Sequence, residues 1–255
     1  MVNDKQTVGA IILAAGKGTR MKSETQNKVA LLFHGKPIIA YGVEMTLQVA
    51  NHVVVVVGAM AESVKKSLEG FDVEYAQQSD QRGTGHAAHV GLETLKNHKP
   101  ELVLVGYGDH MMFYKPERIR ELIQLHKDET ADISLLTTIY SSPNEIAWAR
   151  IIRDDQNNVV GLVEQKDATE QQRKIEEVNP GFYCFNATFL EEFLPQITES
   201  PVTHELYLTD LLQLASKHGK KIVALSVPFQ EVGIGVNRPE ELHESQKLYS
   251  DTQKN

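Results

Sequence analysis

Val8-Gly9-Ala10-Ile11-Ile12-Leu13-Ala14-Ala15-Gly16-Lys17-Gly18-Thr19-Arg20-Met21 joins a short apolar run to a loop of small residues ending in Thr19 and Arg20. Gly9 to Leu13 is apolar without alternation and too short for a stable helix, which predicts a strand buried on both faces of a parallel sheet. Beyond it, Ala14, Ala15, Gly16 and Gly18 keep side chains out of the way, so backbone N–H groups can approach anionic oxygens closely. Lys17, Arg20, Lys22 and Lys28 place four positive charges beside those amides. The combination reads as a triphosphate cradle. Walker A spacing is absent, and the dinucleotide fingerprint would need a third Gly where Met21 stands.

Outward from the cradle, the chain alternates strands and helices. Pro37 predicts the first residue of a helix reaching about Ala50. The valines of His52 to Val57 predict a second buried strand. A helix over Ala61 to Leu68 closes at Gly70, a strand covers Val73 to Gln77, and a helix runs from Thr84 to about Asn97. Leu102 to Val105 is the next strand, delivering Tyr107-Gly108-Asp109 at its end, followed by a helix over Pro116 to Lys127 and a strand over Ile133 to Tyr140. Ligands of open α/β sheets bind outside the strand carboxyl ends, so the loops after these strands should converge. Ala149 to Asp154 and Val159 to Gln165 predict a hairpin around Asp155 to Asn158. Then come a short helix over Ala168 to Ile175, a strand over Gly181 to Asn186, a helix over Thr188 to Leu194, and an amphipathic helix over Leu206 to His218 closed by Gly219. A strand over Ile222 to Val227 precedes a last helix that opens at Pro239 and frays over Ser250 to Asn255.

The chain has 255 residues and a formal net charge of -8. That balance, without a long basic tract, argues against a nucleic-acid or anionic-membrane surface and suits a small anionic substrate. Cys184 is the single cysteine, so no intramolecular disulfide can form, and it reads as a buried thiol. The N-terminus lacks a hydrophobic signal core, and no apolar stretch approaches the roughly 20 residues of a membrane helix. A cytoplasmic protein is expected. No repeat or linker breaks residues 1–255, which predicts a single domain with the hairpin as a lid.

Eight segments occur in order: Leu13 to Met21 with Lys28, Gln78 with Gly83-Thr84-Gly85-His86-Ala87, Tyr107-Gly108-Asp109, Arg150 to Arg153, Glu164 to Thr169, Glu177-Val178-Asn179, Leu206 to Asp210, and Gly235-Val236-Asn237. The first resembles the nucleotidyltransferase signature of sugar-phosphate pyrophosphorylases. The ordered set, over residues 8 to 245, resembles the uridylyltransferase domain of N-acetylglucosamine-1-phosphate uridylyltransferases. The resemblance implies an α/β, Rossmann-like, mostly parallel central sheet flanked by helices, of the nucleotide-diphospho-sugar transferase type, with a β-hairpin sugar-binding lid. Residues 1–110 would form the nucleotide-binding half, 111–240 the sugar-binding half, and 241–255 a C-terminal helix and tail.

The resemblance also implies a reaction: UTP and a hexosamine 1-phosphate give UDP-sugar and pyrophosphate with Mg²⁺. Nucleotide contacts would come from Leu13, Ala14, Ala15, Gly16, Gly18, Thr19, Gln78, Gly83 and Thr84. Gln78 and Gly83 match uracil contacts, and an amide side chain offers the donor and acceptor that an imide edge needs. Arg20 and Lys28 would be catalytic, neutralising charge on the α-phosphate and leaving pyrophosphate. Asp109 and Asn237 match the metal ligands, hard oxygen donors of the kind Mg²⁺ takes. Tyr107, Gly108, Ala149, Glu164, Lys166 and Asn179 would surround the sugar, with Thr84 reaching it as well.

Several positions depart from that pattern. Asn27 stands where Pro usually precedes the lysine, which should loosen the backbone around Lys28. His110-Met111-Met112 replaces Val-Pro-Leu, His204 replaces a Gly, and Trp148-Ala149-Arg150 replaces Tyr-Gly-Arg, adding a Cβ at Ala149 where a close approach to the sugar is expected. His86 and His89 lack a third ligand at metal spacing, which argues against zinc there. Taken singly, Arg20 or Lys28 is an ordinary solvated cation and Asp109 an ordinary helix cap. The hexapeptide-repeat acetyltransferase domain of the bifunctional enzymes has no counterpart in these residues, so acetyl transfer and the trimer those repeats build are not expected, and oligomeric state stays open. A nucleotidyltransferase using another NTP or phosphorylated acceptor, and a non-catalytic nucleotide-sugar-binding protein, fit the same motifs.

Overall fold

The chain runs through β1 (Val8–Ala14), a hairpin of β2 (Leu32–Phe33) and β3 (Lys36–Pro37), α1 (Ile38–Thr46), β4 (His52–Val57), α2 (Ala61–Ser67), β5 (Glu74–Gln77), α3 (Thr84–Leu95) and β6 (Leu102–Tyr107). It continues through α4 (Pro116–Asp128), β7 (Ile133–Ile139), β8 (Ala149–Arg153), β9 (Val159–Val163), β10 (Glu177–Asn179), β11 (Phe182–Asn186), α5 (Ala187–Phe193), α6 (Asp210–Lys217), β12 (Ile222–Ser226), α7 (Phe229–Val232) and α8 (Pro239–Thr252). This computed structural model describes residues 7–21 and 25–253. Lys22 of the expected cradle, and the chain before Thr7, lie outside the described residues.

β1 is buried along its whole length because it lies between two parallel neighbours, β4 and β6. The sheet order is β5-β4-β1-β6-β11-β7-β10-β8-β9, with β12 on the free side of β7. β5, β4, β1 and β6 are mutually parallel, β11 enters antiparallel between β6 and β7, and β8 and β9 form the expected antiparallel hairpin. One face is covered by α3, α5 and α6 through Leu92, Leu95, Leu190, Leu211 and Ala215. The other is covered by α1, α2 and α4 through Ile39, Val43, Val64, Ile119 and Leu122. Apolar side chains therefore leave β1 on both sides, which is why its sequence does not alternate. The mostly parallel sheet with helices on both faces is the α/β fold expected from the sequence. α8 returns to pack Leu242, Leu248 and Tyr249 against Phe33, Ile38 and Phe113. Among the described residues no helix is long and apolar enough to cross a membrane.

Four elements differ from expectation for local reasons. Ala168 to Ile175 holds only a 3₁₀ turn, Gln172–Lys174. Thr169 and Gln172 exchange side-chain and backbone hydrogen bonds there, and the chain must straighten at once into β10, a strand the sequence reading did not place. α6 starts at Asp210 instead of Leu206. The Leu206 N–H donates to the Arg82 carbonyl and the Leu206 carbonyl accepts from the Gly85 N–H, so this stretch is spent on the start of α3. Pro37 ends β3 and caps α1, which begins at Ile38. The last helix stays ordered through Thr252, beyond its expected fraying point.

Candidate active site

The carboxyl ends of β1, β6, β9 and β10 open onto one cleft of about 820 Å³. Its floor is the loop after β1. Asn27 is buried, and its side-chain amide donates to the carbonyls of Ala14, Gly16 and Ala59 at 3.3, 3.0 and 2.9 Å. Its backbone N–H donates to Ser63 Oγ at 2.9 Å, and its Oδ1 accepts from the Val29 N–H at 3.2 Å. The expectation that Asn27 loosens the backbone around Lys28 is thereby corrected. An amide with all its groups engaged replaces the stiffness a proline ring would give. Ala15 O is likewise held by Gln81 Nε2 and the Ala59 N–H, both at 3.2 Å. In a trans peptide the N–H points opposite the C=O. With the carbonyls of Ala15 and Gly16 tied inward, the amides of Gly16 and Lys17 turn toward the cleft, and a Cβ built on Gly16 meets nothing within 4 Å.

Above this floor lies a charged centre. Lys28 Nζ donates to Asp109 Oδ2 and, at 2.7 Å, to Asn237 Oδ1. Arg20 reaches the same Asn237 oxygen from Nη2 at 3.1 Å. Burial pushes the Asp109 carboxyl up, but the charge and hydrogen bond of Lys28 outweigh it and hold the group below the ordinary carboxylate range. Glu241, in the first turn of α8, accepts from the backbone N–H groups of Asn237 and Arg238 at 2.7 and 3.0 Å, fixing the loop that presents Asn237. His110 packs against Trp148 with ring centroids 4.5 Å apart and planes tilted by 47°. Burial pulls its imidazole down to about 4 despite the Asp109 carboxylate beside it, so the ring stands there neutral.

On one side of the centre, Gln78 is 3% exposed and donates to the Gly83 carbonyl at 3.2 Å, with His86 Nδ1 3.1 Å away. Gly83 has φ +107°, and a Cβ there would come within 2.5 Å of the Leu206 carbonyl, so only glycine fits. Thr84 Oγ1 accepts from the Leu208 N–H at 3.0 Å. Gln81 Oε1 is buried in this wall with no hydrogen-bond partner among the described residues.

On the other side, Glu164 Oε1 accepts from Thr209 Oγ1 at 2.9 Å. Burial pushes its carboxyl up to about 6, opposed by the Thr209 hydrogen bond and assisted by the negative charges of Asp210, Asp167 and Glu205. Asn179 is committed to the scaffold: Nδ2 donates to the Leu136 carbonyl at 3.0 Å, and Oδ1 accepts from Tyr183 Oη and from the Gly181 N–H at 3.2 Å. Tyr107, whose phenol burial pushes far up, bonds Tyr183 and Thr84. Arg150 is fully buried; among the described residues no carboxylate hydrogen-bonds to it, and its guanidinium donates to the carbonyls of Pro143, Trp148 and Arg173. It ties down the 143–148 segment, from which Glu145, Ile146, Ala147 and Trp148 face the cleft beside Ala149.

The fold thus gathers Leu13, Ala14, Ala15, Gly16, Gly18, Thr19, Arg20, Lys28, Gln78, Gly83, Thr84, Tyr107, Asp109, Ala149, Glu164, Asn179 and Asn237 around one space. Gly108 lies behind it, its N–H donating to the Leu13 carbonyl at 3.0 Å. Lys166 sits on the exposed turn after β9, outside the lining. Sequence reasoning passed over Asn27 as a scaffold residue, Gln81, Thr209, Arg150 and Glu241. Of these, only Glu241 left a local signal, a carboxylate three residues after the cap and two after Pro239.

Comparison with known proteins adds a family. The profile described as nucleotidyl transferase matches residues 9–231. The bifunctional protein GlmU of Caldicellulosiruptor saccharolyticus is 40% identical over 235 residues, 91% of this chain and 50% of that protein. The GlmU of Alcanivorax borkumensis is 38% identical over 249 residues, 97% of this chain and 53% of that one. The chain spans about half the length of the curated relatives it matches. Among solved structures, a UDP-glucose pyrophosphorylase complexed with UDP-glucose superposes with a TM-score of 0.76 at 19% identity, covering 96% of this chain and 99% of that one. A putative glucose-1-phosphate thymidylyltransferase from Bacillus anthracis superposes with a TM-score of 0.77 at 17% identity, covering 96% of each chain. At such identities these two likenesses concern the fold.

Proposed function

The chain belongs to the nucleotidyl transferase family, and on that premise we propose that it transfers UMP from UTP to a sugar 1-phosphate, giving UDP-sugar and pyrophosphate. N-acetylglucosamine 1-phosphate is the first acceptor to test, because the two relatives at 38–40% identity carry the GlmU name. The observation that carries the reading is the meeting of Arg20, Lys28, Asp109 and Asn237 at one point above the cradle.

A phosphate oxygen of the acceptor attacks the α-phosphorus of UTP, and the bond to the β-phosphate oxygen breaks as pyrophosphate leaves. No protein nucleophile takes part, so catalysis is positioning and charge stabilisation. The amides of Gly16 and Lys17 face the phosphates, and Arg20 and Lys28 take up negative charge on the reacting and departing oxygens. Gln78, Gln81 and Gly83 offer polar groups for the uracil edge, and Glu164 with Thr209 for sugar hydroxyls.

Asp109 and Asn237 would hold Mg²⁺. The fit rests on their oxygens already converging on one cationic atom, the Lys28 ammonium. The ion would neutralise triphosphate and pyrophosphate charge, leaving Lys28 free to face the phosphates. Small phosphorylated substrates, not nucleic acid or membrane, suit a chain of net charge -8, and a cytoplasmic location goes with them.

Pyrophosphate release from UTP and Mg²⁺ with a panel of sugar 1-phosphates tests this. Acceptor-dependent release is expected, and none with any acceptor would refute it. A second reading, another phosphorylated acceptor or another NTP, draws on the Trp148–His110 wall and the Ala149 Cβ at the acceptor side. Competition among NTPs at fixed acceptor separates the two.

A further inference from the structure

Three potential metal ligands meet at the edge of the sheet opposite the cleft. In the parallel pair β4–β5, Val54 stands opposite Glu74. His52 precedes Val54 by two residues, so its side chain leaves the same face as that of Glu74. That face is the one α3 covers, since Val54 and Ala76 pack with Leu92 and Leu95. Just past α3, the 3₁₀ turn Lys96–His98 ends at Lys99 with φ 49°, which carries His98 over the start of both strands. The His52 and His98 rings stack with centroids 3.8 Å apart and planes 16° from parallel. His98 Nε2 meets Glu74 Oε1. One donor atom from each of the three residues lies within 4.8 Å of the other two.

We propose that His52, Glu74 and His98 form a binding site for a divalent transition-metal ion of the zinc class, which clamps β4, β5 and the end of α3 together. Two imidazole nitrogens and one carboxylate oxygen are the donors such ions take, with water completing the fourth position. Mg²⁺, which prefers all-oxygen shells, is not their ion. At bond lengths of about 2.1 Å the donor atoms of a tetrahedral ion lie about 3.4 Å apart, so the His98–Glu74 pair, now in hydrogen-bond contact, opens to admit the ion, while the His52 donor, within 4.8 Å of both, needs only a small adjustment. The His98 and Glu74 side chains are 28% and 48% exposed, which leaves them room to rotate. The backbone beneath is already in place, because two ligands start adjacent strands and the third caps the helix crossing them. The ion would replace the direct His98–Glu74 contact with two bonds to the metal. β4 separates this edge from the cleft by about 20 Å at ~3.3 Å per residue, so the site acts apart from Asp109 and Asn237.

The test is a titration of the chelator-stripped chain with Zn²⁺ against a chromophoric zinc indicator, with thermal melts in parallel. The expected result is one Zn²⁺ per chain at micromolar affinity or tighter, a raised Tm, and no displacement by millimolar Mg²⁺. His98→Gln and Glu74→Gln should each weaken binding by at least about tenfold and abolish the Tm rise, while Mg²⁺-dependent turnover stays as in the wild type. Absence of Zn²⁺ binding would overturn the proposal, as would equal affinity in wild type and both variants, which would place the ion on others of the ten histidines. Because binding is read without turnover, this result and the uridylyl-transfer assay fail independently.

Discussion

The loop after β1 and the wall built from β8 to β10 border the same cleft, yet they are held in different ways. The loop is fixed by neutral hydrogen bonds: Asn27, Gln81 and the Ala59 N–H gather its carbonyls from below. The wall is fixed by charge taken out of water, with Arg150 bonded to carbonyls alone and Glu164 pushed up to about 6. Neutral anchoring gives a rigid phosphate floor at little electrostatic cost. A buried guanidinium that hydrogen-bonds only to carbonyls, with the Glu164 carboxyl acting on it at a distance, gives a wall whose shape depends on a few side chains. On the proposed function, the chemistry common to the candidate reactions falls to the stiff side and acceptor choice to the other.

Four substitutions test that division. Lys28→Ala should have the largest effect, lowering kcat/KM by about 10²–10³ and lowering Tm as well, since Asp109 stays buried without the ammonium that holds it ionised, as steady-state kinetics and a melt would show. A loss confined to KM would mean that Lys28 only binds. Asn27→Ala leaves three carbonyls without their donor and should cost about 3 kcal/mol by urea denaturation, with the KM for UTP raised before that for the acceptor. Arg150→Met should cost about 2 kcal/mol and raise the acceptor KM while leaving that for UTP alone, since the guanidinium supports the 143–148 segment and the Arg173 turn, both on the wall side. Equal effects on both substrates would erase the distinction between floor and wall.

Glu164→Gln should give the smallest and most pH-specific effect. A carboxyl raised from 4.5 to about 6 contributes stability that is complete below the lower value and lost as pH rises through the upper one. The permanently neutral variant should therefore gain on the wild type between about pH 4.5 and 7, by about 1–2 kcal/mol, while its acceptor KM rises. A gain independent of pH would show that Glu164 is not the titrating group.

The floor was legible because its signals are local: an unalternating apolar run, then small residues with cations at short spacing. The wall was legible only through the resemblance, which marked Ala149, Glu164 and Asn179 but gave no sign that Arg150 is buried, because that follows only once β10 pairs β7 and β8. Asn27 was misread in the other direction. Replacing a proline looked like lost stiffness, because carbonyls at Ala14, Gly16 and Ala59 reach one amide only after β1 and α2 are in place. The oxygens of Asp109 and Asn237 were linked by resemblance alone, since no spacing relates a residue just after β6 to one just before α8. The hairpin, by contrast, followed from two β-rich runs and their turn.

The central claim is that Asp109 and Asn237 present their oxygens to one divalent cation above the cradle. Mn²⁺, as a paramagnetic stand-in for Mg²⁺, can be titrated in the presence of UTP while the free-ion EPR signal is followed. The account predicts one tightly held Mn²⁺ per chain, with binding at least about tenfold weaker in Asp109→Ala and in Asn237→Ala. Binding of equal strength in the wild type and both variants would contradict it.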